Sequence, residues 1–343
     1  MIDFRYHLVS IVAVFLALAI GIVLGSTELQ GPVYNVLQHT TSSLEGKLSD
    51  AQNQAQTAQQ GLDADNAMLA SSEAWDLRGM LDNQRVVVLT EPNAQPAVIT
   101  GVETALKDAG ATVTGQINLQ PKFFNNGSAT AASLETTNTQ LAQSDGISVN
   151  GSDLSYQQQA TAQVFAEEFL TKSSAGTTGI QTTGNAQSTQ AQTALDAYQS
   201  QGFLTTSGEP STQATLAVVV TPQVAPADGT ADPLAQVLGP FAEELAKYSS
   251  GTVVAGTQAA SGAGSPIAEL RATSSVSNQV SSVDDADSVR GQESVVAALY
   301  STLSGGQAQS YGISAGTYPT LNPATLPSPS ATPSSSSSKK PHK

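Results

Sequence analysis

The sequence predicts an α/β protein in which an N-terminal transmembrane helix and a coiled-coil stalk precede a mainly parallel α/β domain. Three patterns predict this architecture. A charge-free apolar run comes first, a heptad pattern follows it, and runs typical of buried strands then alternate with amphipathic helices. We expect a cytoplasmic N-terminus at 1–7, the transmembrane helix at 8–25, the stalk at 30–78, the α/β domain at 84–318 and a tail at 319–343.

The predicted anchor reads LVSIVAVFLALAIGIVLG over residues 8–25, just long enough for a helix to cross a hydrocarbon core of about 30 Å. Arg5 precedes the run, and the ten residues after it carry no Lys or Arg, so the positive-inside rule places the N-terminus in the cytoplasm and the main domain outside. A cleaved signal peptide is the alternative, but the run exceeds a usual h-region and no A-x-A pattern follows. Small residues at four-residue intervals predict a helix-packing face at Ala13, Ala17, Gly21 and Gly25.

The stalk prediction depends on a heptad that begins after Pro32. Its seam is predicted at Leu37, Leu44, Leu48, Leu62 and Leu69. Ala, Thr, Asp and Ser fill other seam positions and bury little apolar area, so the coil is expected to need the anchor or a partner. The alternative is a long helix packed against its own domain. The predicted partners are therefore the membrane and a second helix, in a homo-oligomer or hetero-oligomer.

The α/β domain is predicted from apolar runs separated by helical periodicity. Strands are expected at 85–90, 111–117, 216–220 and 252–255, with another ending near residue 283. Helices are expected at 95–109, 232–248 and 291–303. A polar helical segment near 150–200, with helices near 154–170 and 186–198, is expected to be an insertion in the α/β domain or a lid. The Pro, Ser and Thr composition from residue 319 onward predicts a disordered tail.

Composition excludes several classes of function. The net charge of −15 repels phosphate backbones, so the sequence predicts no nucleic-acid partner. The chain has no Cys, which rules out disulfides, thiolate catalysis and Cys-based metal sites within it. The turn after the first strand, TEPNAQPA, has no glycine for a dinucleotide pyrophosphate. No cofactor is evident, and we expect a protein that is not an enzyme.

The candidate metal or catalytic residues are Asp284, Asp285 and Asp287, which form a tight acidic cluster after a predicted strand. Ligands of α/β proteins usually bind at the carboxyl ends of strands, which favours a site there. Asp residues also form turns and cap helices, and this second interpretation is the commoner one. The three histidines are His7, His39 and His342, and none has a sequence-adjacent partner for a metal site or triad.

Several blocks of the chain resemble a known actinobacterial family. They are the opening MIDFRYHLVSIVAVFLALAIGIVLGS, the helical stalk, RVVVLT, VSSVDDADSVRGQESVVAAL and the YG pair at Tyr311 and Gly312. From Met1 to about Tyr318 the chain resembles the mycobacterial copper transport protein B (MctB) family. The resemblance implies an envelope protein of copper efflux or copper homeostasis, described for some members as a channel-forming outer-membrane protein. It also implies a link, for some relatives, to control of cell-wall hydrolases during cell separation through a membrane partner.

The composition of the chain can be compared with the ligands that copper prefers. Cu(I) prefers thiolate or thioether ligands and Cu(II) takes imidazole, yet the chain has no Cys, three Met and three His. Copper is therefore expected from the resemblance alone. One apolar helix forms no channel unless it oligomerises. Two hypotheses follow: a component of copper homeostasis, and a non-enzymatic coiled-coil scaffold that pairs with a membrane partner to regulate cell-wall hydrolysis or cell separation.

Overall fold

The computed structural model describes residues 4–145, 151–172, 185–223, 233–314 and 316–317. The predicted tail at 319–343 and most of the loop that follows residue 170 lie outside these residues. The chain divides into two compact units, Met1–Asp65 and Asn66–Lys343, and each is described by itself.

The first unit is built from helix α1, Phe4–Asp76, over its residues up to Asp65. Within α1, the segment Tyr6–Gly25 has a mean hydropathy of 2.9 and is long and apolar enough to cross a membrane. The predicted N-terminal apolar helix is therefore confirmed as a helix of spanning length. The predicted anchor and the first part of the predicted stalk belong to this same continuous helix.

The second unit contains a mixed set of helices and strands, as predicted. In chain order its described α-helices are α2 (Pro96–Asp108), α3 (Ser128–Asp145), α4 (Leu154–Phe169), α5 (Asn185–Ser200), α6 (Pro233–Tyr248), α7 (Pro266–Ala272), α8 (Ser274–Ser277) and α9 (Val289–Leu303). Its strands are β1 (Arg85–Thr90), β2 (Thr112–Leu119), β3 (Leu204–Gly208), β4 (Leu216–Val220), β5 (Gly251–Ala255), β6 (Ser281–Val283) and β7 (Ser310–Tyr311).

Within the described residues these strands form one seven-stranded sheet in the order β3-β2-β1-β4-β5-β6-β7. All neighbours are parallel except β2 and β3, which are antiparallel. The predicted mainly parallel sheet is thus confirmed. The chain leaves β1 in one direction to form β2 and returns on its other side to form β4, so the order reverses between β1 and β4.

The central strands are buried on both faces, which explains their continuous apolar sequences. On one face, Val87, Leu89 and Val219 pack with residues of α4, α6 and α7. On the other face, Val86 and Val88 pack with residues of α2 and α9. Alternate residues of RVVVLT therefore serve two separate hydrophobic clusters.

Helix α4 belongs to the first of these clusters. Phe165 and Phe169 are buried in it and contact each other edge to face, with ring centroids 5.2 Å apart. The Gln- and Ala-rich segment is therefore an integral layer of the core over its described residues. Its polar character reflects a buried network: the Nδ2 of Asn138 on α3 donates to the backbone oxygen of Gln157 on α4 at 2.9 Å.

The segment between β2 and β3 starts and ends at one place. The backbone N–H of Gln120, directly after β2, donates to the backbone oxygen of Phe203, directly before β3, at 2.8 Å. Since β2 and β3 are antiparallel neighbours, they form a hairpin whose connection contains α3, α4 and α5.

Candidate functional site

The small-residue face of α1 is open in the isolated chain. Ala13, Ala17, Gly21 and Gly25 all lie in the exposed apolar segment. A methyl group added at Gly21 or Gly25 would meet no atom within 4 Å. Residues four apart lie on one side of a helix, and side chains this small let a second helix approach closely.

A row of leucines continues along α1 beyond the apolar segment. Leu44, Leu48 and Leu62 are 60%, 60% and 57% exposed. The side chains of Leu37 and Leu69 lie outside the described part of the chain. Leucines at a and d positions of a heptad pack into a partner helix in a coiled coil, and exposed leucines in register are typical of a surface that is covered in an assembly.

Asp284 lies directly after β6 and is fully buried. Its Oδ2 accepts a hydrogen bond from Nη1 of Arg271 on α7 at 2.6 Å, in an ion pair whose arginine side chain is 17% exposed. The same guanidinium donates to the backbone oxygen of Tyr311 at 3.0 Å and to Oγ of Ser282 at 2.8 Å. Arg271 therefore joins α7 to β6 and β7 and pairs with Asp284 between them.

Gly312, directly after β7, completes this cluster. Its φ is +131°, a backbone conformation that L-residues rarely adopt, and an added Cβ would lie 1.8 Å from Oδ1 of Asp284. The backbone N–H of Ile313 donates to the same oxygen at 2.8 Å. The YG pair quoted in the sequence resemblance thus lies against the first aspartate of DDAD.

The other two aspartates have different surroundings. Asp285 is buried, and its Oδ2 accepts from Nη2 of Arg290 at 2.7 Å and from Nε at 3.0 Å. Ser288 caps α9 by accepting from the N–H of Gly291 at 3.0 Å. Asp287 is exposed and borders an open depression of about 540 Å³. The buried carboxylates of Asp284 and Asp285 thus each form an ion pair with an arginine.

The described residues contain no group of three or more His, Cys, Asp or Glu that could hold a metal ion. The reversal of strand order lies at β1 and β4, two strands away from β6. The residues that follow those strands are Glu91 and Thr221, both buried. The aspartate cluster therefore lies at the carboxyl edge of the sheet, as the sequence predicted, but not at the position where α/β sheets usually bind ligands.

Sequence reasoning missed the partners of the aspartates. Arg290 follows Asp285 by five residues, so the spacing in DDADSVR carried a local signal for that pair. Arg271 lies 13 residues before Asp284 on a separate helix, and nothing in the sequence links them.

Burial raises the pKa of the Tyr248 hydroxyl on α6, and the hydrogen bond from this hydroxyl to Glu167 on α4 raises that pKa further.

Comparison with known proteins gives a consistent result. The family model described as "Copper transport outer membrane protein, MctB" matches residues 1–321. The chain is 28% identical over 329 residues to the copper transporter MctB of Mycobacterium bovis, covering 91% of this chain and 96% of that protein. It is 26% identical over 324 residues to the copper transporter MctB of Mycobacterium leprae, covering 92% and 98%. With almost its whole length matched by the family model, this chain belongs to the MctB family.

Proposed function

We propose that this chain is a membrane-anchored envelope protein that takes part in copper efflux or copper homeostasis as a multimer assembled through α1. The observation that carries the multimer is the exposed row of Leu44, Leu48 and Leu62, on the same helix as the small-residue face. The copper role is supported by the names of the family and of the relatives.

The placement of copper in this proposal follows from the donor set. The chain offers no Cys and three Met, so its own side chains fit a thiolate or thioether copper site poorly. Copper is the cargo of the pathway, and we assign its movement to the assembled complex or to a partner. We further propose that the N-terminus lies in the cytoplasm and the α/β unit outside the cytoplasmic membrane, on the basis of Arg5 and the charge-poor segment after residue 25.

The copper role predicts a defect in a strain that lacks the gene. We expect the strain to stop growing at a lower copper concentration than the parent and to hold more copper per cell, measured by inductively coupled plasma mass spectrometry. The wild-type gene should restore both values. A gene that carries Leu44→Ser, Leu48→Ser and Leu62→Ser together should not restore them, although the protein reaches the membrane at normal levels. Unchanged copper tolerance and copper content in the deletion strain would refute the copper role.

The multimer predicts site-specific crosslinking, and the chain suits this test because it has no native Cys. In oxidised membranes, Leu48→Cys should yield a disulfide-linked dimer on a non-reducing gel, because facing a positions bring Cα atoms within the roughly 4.4–6.8 Å that a disulfide spans. Asn53→Cys, at the outward f position of the same helix, is the matched control and should yield little dimer. Equal crosslinking at both positions would show collision rather than a seam.

A second candidate function uses the same surface. A non-enzymatic scaffold that pairs with a different membrane protein, to regulate cell-wall hydrolysis or cell separation, would cover the leucine row with a foreign helix. A photo-crosslinking residue at position 48 in living cells separates the two: a product of twice the chain mass supports self-association, and another protein identified by mass spectrometry supports the scaffold. Cells that fail to separate while their copper tolerance stays normal would favour the scaffold.

A further inference from the structure

A cavity of about 550 Å³ lies between α4, α6 and the 3₁₀ turn Pro121–Phe124. Small-molecule sites commonly have volumes of about 300–1,000 Å³. The cavity is lined by residues from 124–126, 154–159 and 236–241, whereas the aspartate cluster lies at 284–287 and the leucine row on α1. It is therefore separate from both features described above.

Aromatic side chains form one part of its wall: Phe124, Tyr156 and Phe241. Phe241 is held by edge-to-face contacts with Phe123 and Phe165, at centroid distances of 6.2 and 5.9 Å. The ring of Tyr156 lies against Gly151, where an added Cβ would be 2.6 Å from Cδ1. Phe241 is thus held by its aromatic neighbours and Tyr156 is packed against the backbone at Gly151, which lowers the entropic cost of ordering these two rings on binding.

Side-chain amides form the polar part of the wall: Asn126, Gln158, Gln159 and Gln236. Gln158 is 4% exposed, and its Nε2 donates to the backbone oxygen of Phe123 at 2.7 Å. The Nε2 of Gln159 donates to Oε1 of Glu244 at 3.1 Å. Each of these two amides is thus anchored through its nitrogen at the edge of the cavity.

Helix α6 adds a backbone acceptor at the same place. Pro240 lies inside the helix and has no N–H, so the carbonyl of Gln236 cannot receive the usual hydrogen bond from the residue four positions later. Both residues line the cavity.

The wall carries no Asp, Glu, Lys or Arg among the described residues that line it, although the chain has a net charge of −15. A charged ligand would therefore lack a counter-charge. Amides both donate and accept, which suits hydroxyl groups, and aromatic rings suit a flat C–H surface. Sugar rings present both. We propose that this cavity binds a neutral oligosaccharide, with a sugar ring on Tyr156 and Phe124 and its hydroxyl or acetamido groups on the amides.

Saturation-transfer NMR on the full chain in lipid nanodiscs tests this site without sugar-based detergents. The probes are chitotetraose and cellotetraose, which differ in the acetamido group at C2. We expect saturation to be transferred from the protein to the sugar-ring protons of at least one of these two oligosaccharides. Tyr156→Ala should weaken binding by about tenfold, the loss expected for one stacked ring. Tyr300→Ala, at a half-buried tyrosine in the other hydrophobic cluster, is the matched control and should leave binding unchanged.

A second variant guards against a folding defect. Ser155 is exposed at the rim of the cavity, so Ser155→Trp should fill the space, abolish the signal and leave the melting temperature unchanged. No transfer from the wild-type chain to either sugar overturns the proposal, as does an equal signal in Ser155→Trp. Transfer to a tetra-alanine peptide with acetylated and amidated termini, which is uncharged, but to neither sugar would also overturn the proposal. A negative result in this binding experiment would not bear on the proposed multimer, because the multimer is tested separately by crosslinking through α1.

Discussion

Replacing Arg271 with alanine should destabilise the α/β unit by about 3–5 kcal/mol, because it leaves the fully buried Asp284 without its cationic partner. The substitution removes three hydrogen bonds that join α7 to β6 and β7. In a domain of this size the melting temperature should fall by about 6–20 °C. Circular dichroism and urea titration of the purified protein measure the change.

Two further variants identify the cause. Arg271→Ala combined with Asp284→Asn should recover part of the lost stability, because the second change removes the uncompensated charge. Lys107→Ala breaks an ion pair in which the lysine is 57% exposed, and it should cost no more than about 1 kcal/mol. If Arg271→Ala lowers the free energy of unfolding by as little as Lys107→Ala does, the buried ion pair does not hold β7 in place.

Replacing Asn138 with alanine should cost about 2–4 kcal/mol, since four hydrogen bonds are lost in a site closed to water. The Nδ2 of Asn138 donates to the backbone oxygen and Oε1 of Gln157 at 2.9 and 2.7 Å. Its Oδ1 accepts from Thr161 at 3.1 Å and from the hydroxyl of Tyr198 at 2.6 Å. One side chain thereby joins α3, α4 and α5.

Because this network holds one helical layer, its loss should appear first as local opening. Hydrogen–deuterium exchange should increase in α3 and α5 more than in the central strands β1 and β4. Asn278→Ala replaces an exposed asparagine after α8 and serves as the control, with an expected change within about 0.5 kcal/mol. Uniform faster exchange across the whole unit would show that the layer and the sheet unfold together.

The parts of the fold that could be predicted are those with an apolar signature. RVVVLT and LAVVV are buried on both faces, and the structure places them as central parallel strands at the predicted residues. Strand β3, LTTSG, is polar, and only Leu204 in it is buried. It is a strand because β2 pairs with it, and that long-range pairing leaves no local pattern.

The same reasoning explains α3 and the aspartate cluster. Helix α3 is rich in Ser, Thr and Asn, and it buries the polar Asn138 as well as Leu134, so its apolar periodicity is too weak to indicate a helix. The sequence predicted a strand ending near residue 283, and Asp284 directly follows that strand in the structure. Its partner Arg271 was not predictable, because tertiary packing of α7 alone brings the two together. The coiled coil along α1 stays a prediction that the crosslinking experiment decides.

The meeting of Gln120 and Phe203 at the base of the β2–β3 hairpin has a consequence for how this protein changes in evolution. A hairpin loop that has grown to carry three helices needs only to leave and rejoin the sheet at the same two points, and the entropic cost of closing a loop rises slowly with its length. Insertions and deletions among relatives should therefore accumulate between these two residues, whereas β1 and β4 keep a fixed length.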